Sequence, residues 1–353
     1  MTQLTAPSTP PPSSISASTS PNTPVDLLIL GAGWTSTFLI PLLEEQKITY
    51  AATTRSGHNN TIPFNFDPSS SDTVGYERLP PAETVLITFP LKGDGQSKLL
   101  TDLYGETHQK IADAVRWIQL GSTGIFTEKG WNDSDSAYDK SNVRAVAEDE
   151  LFSHRGNRAC VLNLAGLYGG TRQPQNWVTR VAKSKSEVKA KLAVHLIHGR
   201  DVSRAIIAAH GKFEKVGGKR WIVMDLHVYD WWDLFLSWGK YARESAGEGA
   251  REVDGKGDGE GGLEYERWVV ELMGEEGVRG ALPRGSRAWG GYWMGGVLEC
   301  CWGSAGGGEG ELTKETRAGL ERTMLQDVDT ITKFKTSEFT QFPLPNIGKS
   351  LDL

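Results

Sequence analysis

The sequence predicts an α/β fold, a doubly wound parallel sheet with helices on both faces and a small C-terminal α/β cap. Strand-length apolar runs alternate with helix-length amphipathic segments along much of the chain. The first apolar run ends in a glycine-rich turn that opens a helix. Hydrophobic residues make up 38% of the 353 residues, so the chain can bury a core without disulfides or metals.

The strands and helices of the predicted sheet follow one another in regular order. Strands are predicted at six apolar runs: Val25 to Leu30, Ile48 to Thr54, Thr61 to Phe66, Glu83 to Phe89, Val115 to Leu120 and Ala159 to Leu164. Helices are predicted between them over Trp34 to Leu43, Ser97 to Ala114 and Asn142 to Phe152. Because strands alternate with helices, the connections are crossovers and the strands are expected to be parallel.

The chain after these strands predicts the smaller cap. Its elements are short strands over His195 to His198 and Arg220 to Met224, and helices over Asp201 to His210 and Tyr229 to Trp238. Asp230 is expected to cap the last helix, whose aromatic side chains favour packing over ligand stacking. A further helix is predicted from Trp268 to Met273.

Composition divides the chain into four parts. Residues 1–24 are rich in Ser, Thr and Pro, contain no Lys or Arg, and predict a disordered tail without features of a signal or transit peptide. Residues 25–240 form the predicted main domain with its cap elements. Residues 241–263 are a Gly/Glu-rich segment that predicts a disordered insertion, and residues 264–353 predict a helical or irregular C-terminal extension.

Charge and cysteine content exclude several classes of partner. The net charge of -6 gives no general attraction to nucleic acid or to anionic membranes. The three cysteines form no CxxC or Cys/His cluster at metal spacing, and no run approaches the length of a membrane span. We therefore expect a cytoplasmic protein without a metal site, a nucleic-acid partner or a membrane partner.

The clearest chemical signal is the GxGxxS turn Gly31-Ala32-Gly33-Trp34-Thr35-Ser36, placed where the first strand meets the first helix. Gly31 permits the tight turn, and Gly33 allows the backbone to approach a pyrophosphate. The amides from Trp34 and Thr35 onward present unpaired donors to that anion, and the small Ser36 can replace a third glycine. The turn therefore predicts a dinucleotide site. The alternative is a tight strand–helix turn that binds no ligand.

The end of the second strand indicates which dinucleotide binds. NAD-selective sites place an acidic residue there to bind the ribose hydroxyls, whereas this sequence has Thr54-Arg55. A guanidinium can bind a 2′-phosphate that a carboxylate would repel. Arg55 therefore predicts NADP(H) in preference to NAD(H). The alternative is that Arg55 is a solvated residue at a strand end.

Several separated motifs together resemble the extended short-chain dehydrogenase/reductase superfamily, the group that contains nucleotide-sugar epimerases and dehydratases. Besides the glycine turn, Asp67 matches the adenine-contacting end of the third strand, and Thr88 and Pro90 match the fourth-strand end beside the cofactor. Ser122 matches the catalytic hydroxyl position. Leu164 to Gly169 resembles the sixth-strand end that passes the nicotinamide. The resemblance implies a Rossmann-like fold that binds NAD(P)(H).

The sequence departs from this superfamily at its YxxxK pair, and so resembles the atypical branch. The alignment puts Lys140 at the tyrosine position and Arg144 at the lysine position, and neither can act as a tyrosine acid. Tyr138 is a candidate replacement, with a loop aromatic as its alternative. Arg144 is a candidate for binding the nicotinamide ribose or a substrate anion, and Ser122 for a substrate carbonyl. The structural alternative is that Arg144 is a helix-surface arginine and Ser122 a strand-end serine, neither with a role in binding.

Two functions remain open at this point. One is an oxidoreductase or epimerase-like enzyme on an unidentified small molecule, with NADP(H) as its cofactor. The other is a non-catalytic dinucleotide-binding or redox-sensing protein whose conformers a protein partner recognises. His195 and His198 are interpreted as hydrogen-bonded structural groups, because no carboxylate cluster accompanies them.

Overall fold

The computed structural model describes residues 20–128, 130, 132–245 and 261–278. Most of the predicted N-terminal tail, much of the predicted insertion and most of the C-terminal extension therefore lie outside the described residues. Within the described part of the chain, no helix is long and apolar enough to cross a bilayer.

A seven-stranded parallel sheet forms the centre of the molecule. Its strands are β1 (Val25–Leu30), β2 (Tyr50–Thr54), β3 (Ile62–Pro63), β4 (Ala82–Ile87), β5 (Arg116–Ser122), β6 (Ala159–Leu164) and β10 (Lys219–Val223). Four further short strands lie outside this sheet: β7 (Gly166–Tyr168), β8 (Ala193–Val194), β9 (Leu196–His198) and β11 (Tyr229–Asp230). The predicted strands β1 and β6 have the observed bounds, because each is a largely apolar run with a single polar residue, Asp26 or Asn163.

The strand order places the reversal of the sheet between β1 and β4. The order across the sheet is β10-β6-β5-β4-β1-β2-β3, so the chain winds first to one side of β1 and then to the other. Leu30 pairs with Ile87 and Ser122 pairs with Leu164, which brings the carboxyl ends of these four strands to one edge. In a doubly wound sheet this edge, at the reversal, is where ligands bind.

Ten helices are present in the described residues. They are α1 (Ser36–Glu45), α2 (Val74–Glu77), α3 (Gln96–Thr107), α4 (Val143–Arg155), α5 (Val178–Val181), α6 (Lys185–Ala190), α7 (Gly199–Gly211), α8 (Phe213–Val216), α9 (Trp231–Ser245) and α10 (Gly261–Glu275). Short 3-10 turns cover Thr123–Ile125, Gly156–Arg158 and Pro174–Trp177.

Alternate residues of the central strands fill cores on both faces of the sheet. Leu28 and Leu30 belong to a buried cluster with residues of α2, α3 and α4. Leu27 and Ile29 belong to a second buried cluster with residues of α1, α7 and α8. Side chains of successive strand residues point to opposite faces, so one apolar run serves both cores. The doubly wound prediction is confirmed.

The prediction that residues 195–238 supply the cap is wrong for two elements. Strand β10 joins the central sheet, where it pairs in parallel with β6 from Lys219 to Val223. Helix α7 packs on the sheet as well, because its apolar face, including Val202 and Ile206, lies in the second core cluster. These two elements make one more β–α–β crossover, and their pattern is the same as that of the earlier ones.

The cap that does form has its own small core. Strands β8 and β11 pair antiparallel, and α5, α6, α9 and α10 contribute to a third buried cluster that includes Trp232, Phe235 and Val269. The Asp230 carboxylate accepts a hydrogen bond from the Trp232 N–H at 2.7 Å, as expected for a residue that caps α9.

Candidate dinucleotide site

The glycine turn between β1 and α1 is held by two neighbouring strands. Gly31 has a φ of +94°, which favours glycine. The Thr88 hydroxyl donates to the carbonyls of Leu30 at 3.0 Å and Gly31 at 2.5 Å. On the other side, the Gly31 N–H donates to Thr53 Oγ1 at 2.9 Å. The turn therefore has a fixed shape before any ligand arrives.

Two backbone donors of this turn remain available. The N–H groups of Trp34 and Thr35 make no backbone hydrogen bond within the described residues, and they lie directly before α1. A side chain placed at the exposed Gly33 would meet nothing within 4 Å. Open space above free amides at a helix start is the arrangement that a pyrophosphate requires.

Ser36 and Thr35 are buried at the start of α1. Ser36 is 3% exposed, and its hydroxyl has no hydrogen-bond partner among the described residues. The Thr35 side chain makes no capping hydrogen bond. Ser36 thus occupies the place of a third glycine at a close helix–strand contact, with only a hydroxymethyl group added.

The Trp34 side chain connects the glycine turn to the segment after β6. Its indole Nε1 donates to the Gly169 carbonyl at 3.0 Å. The Arg172 guanidinium lies over the indole ring, 4.4 Å from its centroid. The paired strands β7 and β9 are therefore held next to the candidate phosphate site.

Arg55 is exposed and directly follows β2, where the ribose of a bound dinucleotide is expected. The turn after it is fixed by a hydrogen bond from the Gly57 N–H to Thr54 Oγ1 at 3.0 Å. No acidic residue occurs between positions 54 and 60. The position is compatible with a 2′-phosphate and places no carboxylate against it.

Asp67 and Pro90 are both exposed, after β3 and β4 respectively. The Asp67 carboxylate accepts hydrogen bonds from the Ser69 hydroxyl at 2.6 Å and the Ser69 N–H at 2.9 Å. These two bonds lower the pKa of Asp67. Its carboxylate therefore already stabilises a local turn, and its contact with adenine stays a prediction.

Ser122 ends β5 at the same edge as the glycine turn. Its hydroxyl accepts a hydrogen bond from the Gly124 N–H at 3.1 Å, which caps the short 3-10 turn that follows. The oxygen still has a proton to donate, so the proposed contact with a substrate carbonyl is compatible with this cap. That role stays a prediction.

Arg144 lies in the first turn of α4, and its side chain turns toward β5. One guanidinium nitrogen donates to the Leu120 carbonyl at 3.2 Å, and Nε is buried without a partner among the described residues. Burial lowers the pKa of Arg144, while Glu148 opposes this effect. Lys140, at the tyrosine position, is exposed. That Lys140 and Arg144 take the positions of the YxxxK pair stays a prediction.

Tyr138 is engaged with α4 and β10. Its hydroxyl donates to Asp149 at 2.7 Å, and the Arg220 guanidinium lies over its ring, 4.4 Å from the centroid. Burial, followed by the bond to Asp149, raises the pKa of Tyr138. These contacts favour the interpretation of Tyr138 as a loop aromatic, and its recruitment as a proton donor stays a prediction.

A buried polar network beneath the strand ends is absent from the sequence predictions. Glu148 is completely buried, accepts from Arg220 Nε at 3.0 Å, and also accepts from Asn163 Nδ2. Burial raises the pKa of Glu148, and the bonds from Asn163 and Arg220 oppose that rise. A side chain at Gly121 would lie 2.6 Å from Glu148 Oε1. Glycine in β5 is therefore what makes room for the network.

The two histidines near β9 have structural contacts. The His198 ring accepts from the Arg200 N–H at 3.2 Å and so caps α7. His195 Nδ1 hydrogen-bonds the His227 carbonyl at 3.1 Å. Within the described part of the chain, no group of three His, Cys, Asp or Glu side chains is arranged to hold a metal.

The strand order and the glycine turn define the class of protein: a Rossmann-like α/β protein with a candidate dinucleotide site at the reversal of its sheet. The solved structures similar to this chain include epimerases and dehydratases. No family model and no curated protein matches the sequence.

Three solved structures illustrate the likeness. UDP-glucuronic acid 4-epimerase from Bacillus cereus in complex with NAD has 14% identity and a TM-score of 0.46, over 70% of this chain and 99% of that one. The NAD complex of dTDP-glucose 4,6-dehydratase from Bacillus anthracis has 12% identity and a TM-score of 0.45, over 70% and 99%. RMD from Pseudomonas aeruginosa complexed with NADPH has 12% identity and a TM-score of 0.44, over 60% and 81%. These likenesses concern the fold, whose assignment rests on the strand order of this protein itself.

Proposed function

We propose that this protein binds NADP(H) at the glycine turn and acts as an oxidoreductase or epimerase-like enzyme on a small molecule. The observation that carries this proposal is the pair of free N–H groups at Trp34 and Thr35, above an open Gly33. They lie at the carboxyl edge of the sheet, next to its reversal. Unpaired donors at a helix start beside open space favour an anionic ligand.

The residues around the turn can be assigned to successive parts of a bound dinucleotide. Gly31, Gly33 and the start of α1 would hold the pyrophosphate, and Thr88 supports the turn from β4. Arg55 would bind the 2′-phosphate beyond β2. Arg144, in α4, and Ser122, at the end of β5, would lie on the nicotinamide side. When bound, the nicotinamide supplies hydride exchange, and the protein orients the substrate beside it.

Binding of the dinucleotides tests the proposal directly. We expect NADPH to bind the full chain more tightly than NADH in titration calorimetry. Arg55→Gln should weaken NADPH binding by about 10- to 100-fold and leave NADH binding unchanged, because one charge-assisted contact contributes about 1.5–3 kcal/mol. Circular dichroism of each variant checks that it is folded.

Arg78→Gln is a matched control for this experiment. Arg78 is also exposed, but it precedes β4 at the opposite edge of the sheet. It should leave the affinities for both dinucleotides unchanged. A clear preference for NADH by the unmodified protein would reject the phosphate role of Arg55. The absence of heat with every dinucleotide would reject the site itself.

The second candidate function is a non-catalytic dinucleotide-binding or redox-sensing protein. It is favoured by the exposed Lys140 and the engaged Tyr138, which leave no tyrosine in the aligned catalytic position. Incubation with NADPH and a panel of carbonyl compounds and nucleotide sugars separates the two functions. Turnover supports the enzyme, whereas tight binding without turnover supports the sensor.

A further inference from the structure

Arg172 is an exposed arginine beside the glycine turn that the proposed function leaves unused. Its guanidinium lies over the Trp34 indole, 4.4 Å from the ring centroid. Within the described residues, its side chain donates no hydrogen bond and forms no ion pair. The ring attracts the cation but offers no lone pair, so the N–H donors of the guanidinium have no acceptor there. A guanidinium held in this way can bind an anion through several hydrogen bonds.

The segment that carries Arg172 is fixed to the same tryptophan. The Gly169 carbonyl accepts from the Trp34 indole N–H at 3.0 Å and from the Arg172 N–H at 3.0 Å. In return, the Gly169 N–H donates to the Arg172 carbonyl at 2.9 Å. One residue further along, Gln173 Nε2 donates to the Gly170 carbonyl at 2.6 Å. Trp34 thus positions Arg172 in two ways, through its indole N–H and through its ring.

Two helices begin beside Trp34. Its own N–H is one of the two free donors before α1. A side chain at Gly199, the first residue of α7, would lie 2.9 Å from Trp34 Cη2, so the start of α7 touches the same indole. Asp201, the acidic residue in the first turn of α7, is paired with Arg204 at 2.8 Å, and the first turn of α1 has no acidic residue. The charges around Trp34 therefore favour an anion.

The pyrophosphate of a dinucleotide is the anion that suits this position. It carries two negative charges, whereas the N–H groups of Trp34 and Thr35 carry only partial positive charge. Arg172 lies on the ring of one of these two residues, so it adds a full positive charge beside them. Arg55, by contrast, follows β2, where the adenosine ribose is expected.

We propose that Arg172 binds the pyrophosphate of the dinucleotide, with the Trp34 ring as its support. This inference rests on the proposed function, because the glycine turn has to hold the same pyrophosphate. The diphosphate is then contacted from two segments of the chain, one after β1 and one after β7. NADPH, NADH and ADP-ribose all contain this group. Arg172 therefore strengthens the binding of each of them and does not select between them.

Titration calorimetry of the full chain separates this role from that of Arg55. Arg172→Gln should weaken the binding of NADPH, NADH and ADP-ribose alike, by about 10- to 100-fold. The affinity for 2′-AMP should stay unchanged, because this nucleotide has the 2′-phosphate but no pyrophosphate. Arg55→Gln should give the converse pattern, with weaker binding of NADPH and 2′-AMP and unchanged binding of NADH and ADP-ribose.

Two further variants are controls for this experiment. Arg172→Lys keeps the positive charge but not the planar group, so it should lose less affinity than Arg172→Gln. Arg78→Gln removes an exposed arginine at the opposite edge of the sheet and should change none of the four affinities. Circular dichroism and urea unfolding check that each variant is folded.

A double-mutant cycle tests the support that Trp34 gives to Arg172. Trp34→Leu keeps the backbone N–H at this position and removes the ring with its indole donor. It should weaken NADPH binding by about 2- to 5-fold in the otherwise unmodified chain. In the Arg172→Gln background the same change should have little further effect, because it acts through Arg172. Equal losses in the two backgrounds would overturn the proposed support.

The outcomes distinguish this inference from the proposed function. If NADPH binding depends on Arg55 but Arg172→Gln changes no affinity, the inference is overturned and the dinucleotide site stands. An equal loss of 2′-AMP affinity in Arg172→Gln would also overturn it. If Arg172→Gln keeps the NADPH affinity but weakens the binding of UDP-glucose to the NADPH-saturated chain, the guanidinium binds a substrate phosphate and the inference is overturned. The absence of heat with every dinucleotide would overturn both proposals.

Discussion

Gly31 and Gly33 lie two positions apart, and glycine is needed at each of them for a different reason. At Gly31 a side chain would lie 2.7 Å from Thr88 Oγ1, and the positive φ strains any other residue. At Gly33 the space is open. Gly31 is therefore required by the protein itself, whereas Gly33 is required only by a ligand that approaches the backbone.

Alanine substitutions separate these two requirements. We expect Gly31→Ala to lower the free energy of unfolding by about 1–3 kcal/mol, through backbone strain and the contact with Thr88. Gly33→Ala should change it by less than about 0.5 kcal/mol but weaken NADPH binding. Urea unfolding and titration calorimetry measure the two effects. Unchanged NADPH affinity in Gly33→Ala would contradict the pyrophosphate position.

The sequence predicts the site residues that belong to local motifs, and it misses contacts between residues far apart in the chain. The glycine turn and Thr88 follow from local motifs at strand ends. The support that Thr53 gives to Gly31, and the Glu148–Arg220 pair, do not, because they join residues 22 and 72 positions apart through side-chain hydrogen bonds.

Among the elements, helices α3 and α4 are joined by one carboxylate. Asp102 accepts from Lys98 on its own helix, and from His154 at 2.5 Å and Arg155 at 3.0 Å on α4. Burial alone would raise the pKa of Asp102, but the bonds from Lys98 and His154 outweigh it and hold the pKa below its ordinary value. The charged form is therefore the one that stabilises the helix pair.

The pH dependence of this contribution can be predicted. Because the folded pKa of Asp102 lies below the unfolded value of about 3.9, its stabilisation is present above that pH and is lost as pH falls through the folded pKa. Asp102→Asn should lower the free energy of unfolding by about 1–2 kcal/mol at pH ~7, with the difference shrinking toward pH ~3. Urea unfolding at both pH values measures it, with the exposed Asp94→Asn as a control. An equal difference at both would contradict the assignment.

The sequence predicts well whether a segment is a strand or a helix. It predicts less well which layer of the fold that segment joins. Strands β1 and β6 are read correctly because an apolar run buried on both faces differs from any surface segment. Strand β10 begins with Lys219 and Arg220 and is apolar only from Trp221 to Val223, and the sequence does not say which edge it joins. Pairing with β6, not the pattern within 219–223, places it in the central sheet.

The molecule as described has three separate buried clusters. Two lie on the faces of the central sheet, and the third joins α5, α6, α9 and α10. Phe235 is fully buried in the third cluster and stacks on Tyr265, with 5.5 Å between ring centroids. A cluster with its own members can open without the others.

Phe235→Ala should therefore loosen one part of the molecule selectively. Truncating a buried phenylalanine costs about 3–5 kcal/mol, and here the cost falls on the cap cluster. We expect faster hydrogen exchange in α9 and α10, measured by mass spectrometry, while β1, β4 and β5 keep their protection. Equal acceleration in those strands would indicate one cooperative unit instead.

The indole of Trp34 and the carbonyl of Gly169 are 135 residues apart in the chain. During synthesis, β1 and α1 leave the ribosome long before residue 169 has been added. The surroundings of the glycine turn are therefore finished late, when most of the sheet already exists. A ligand that needs these surroundings can therefore bind only after residue 169 has been added.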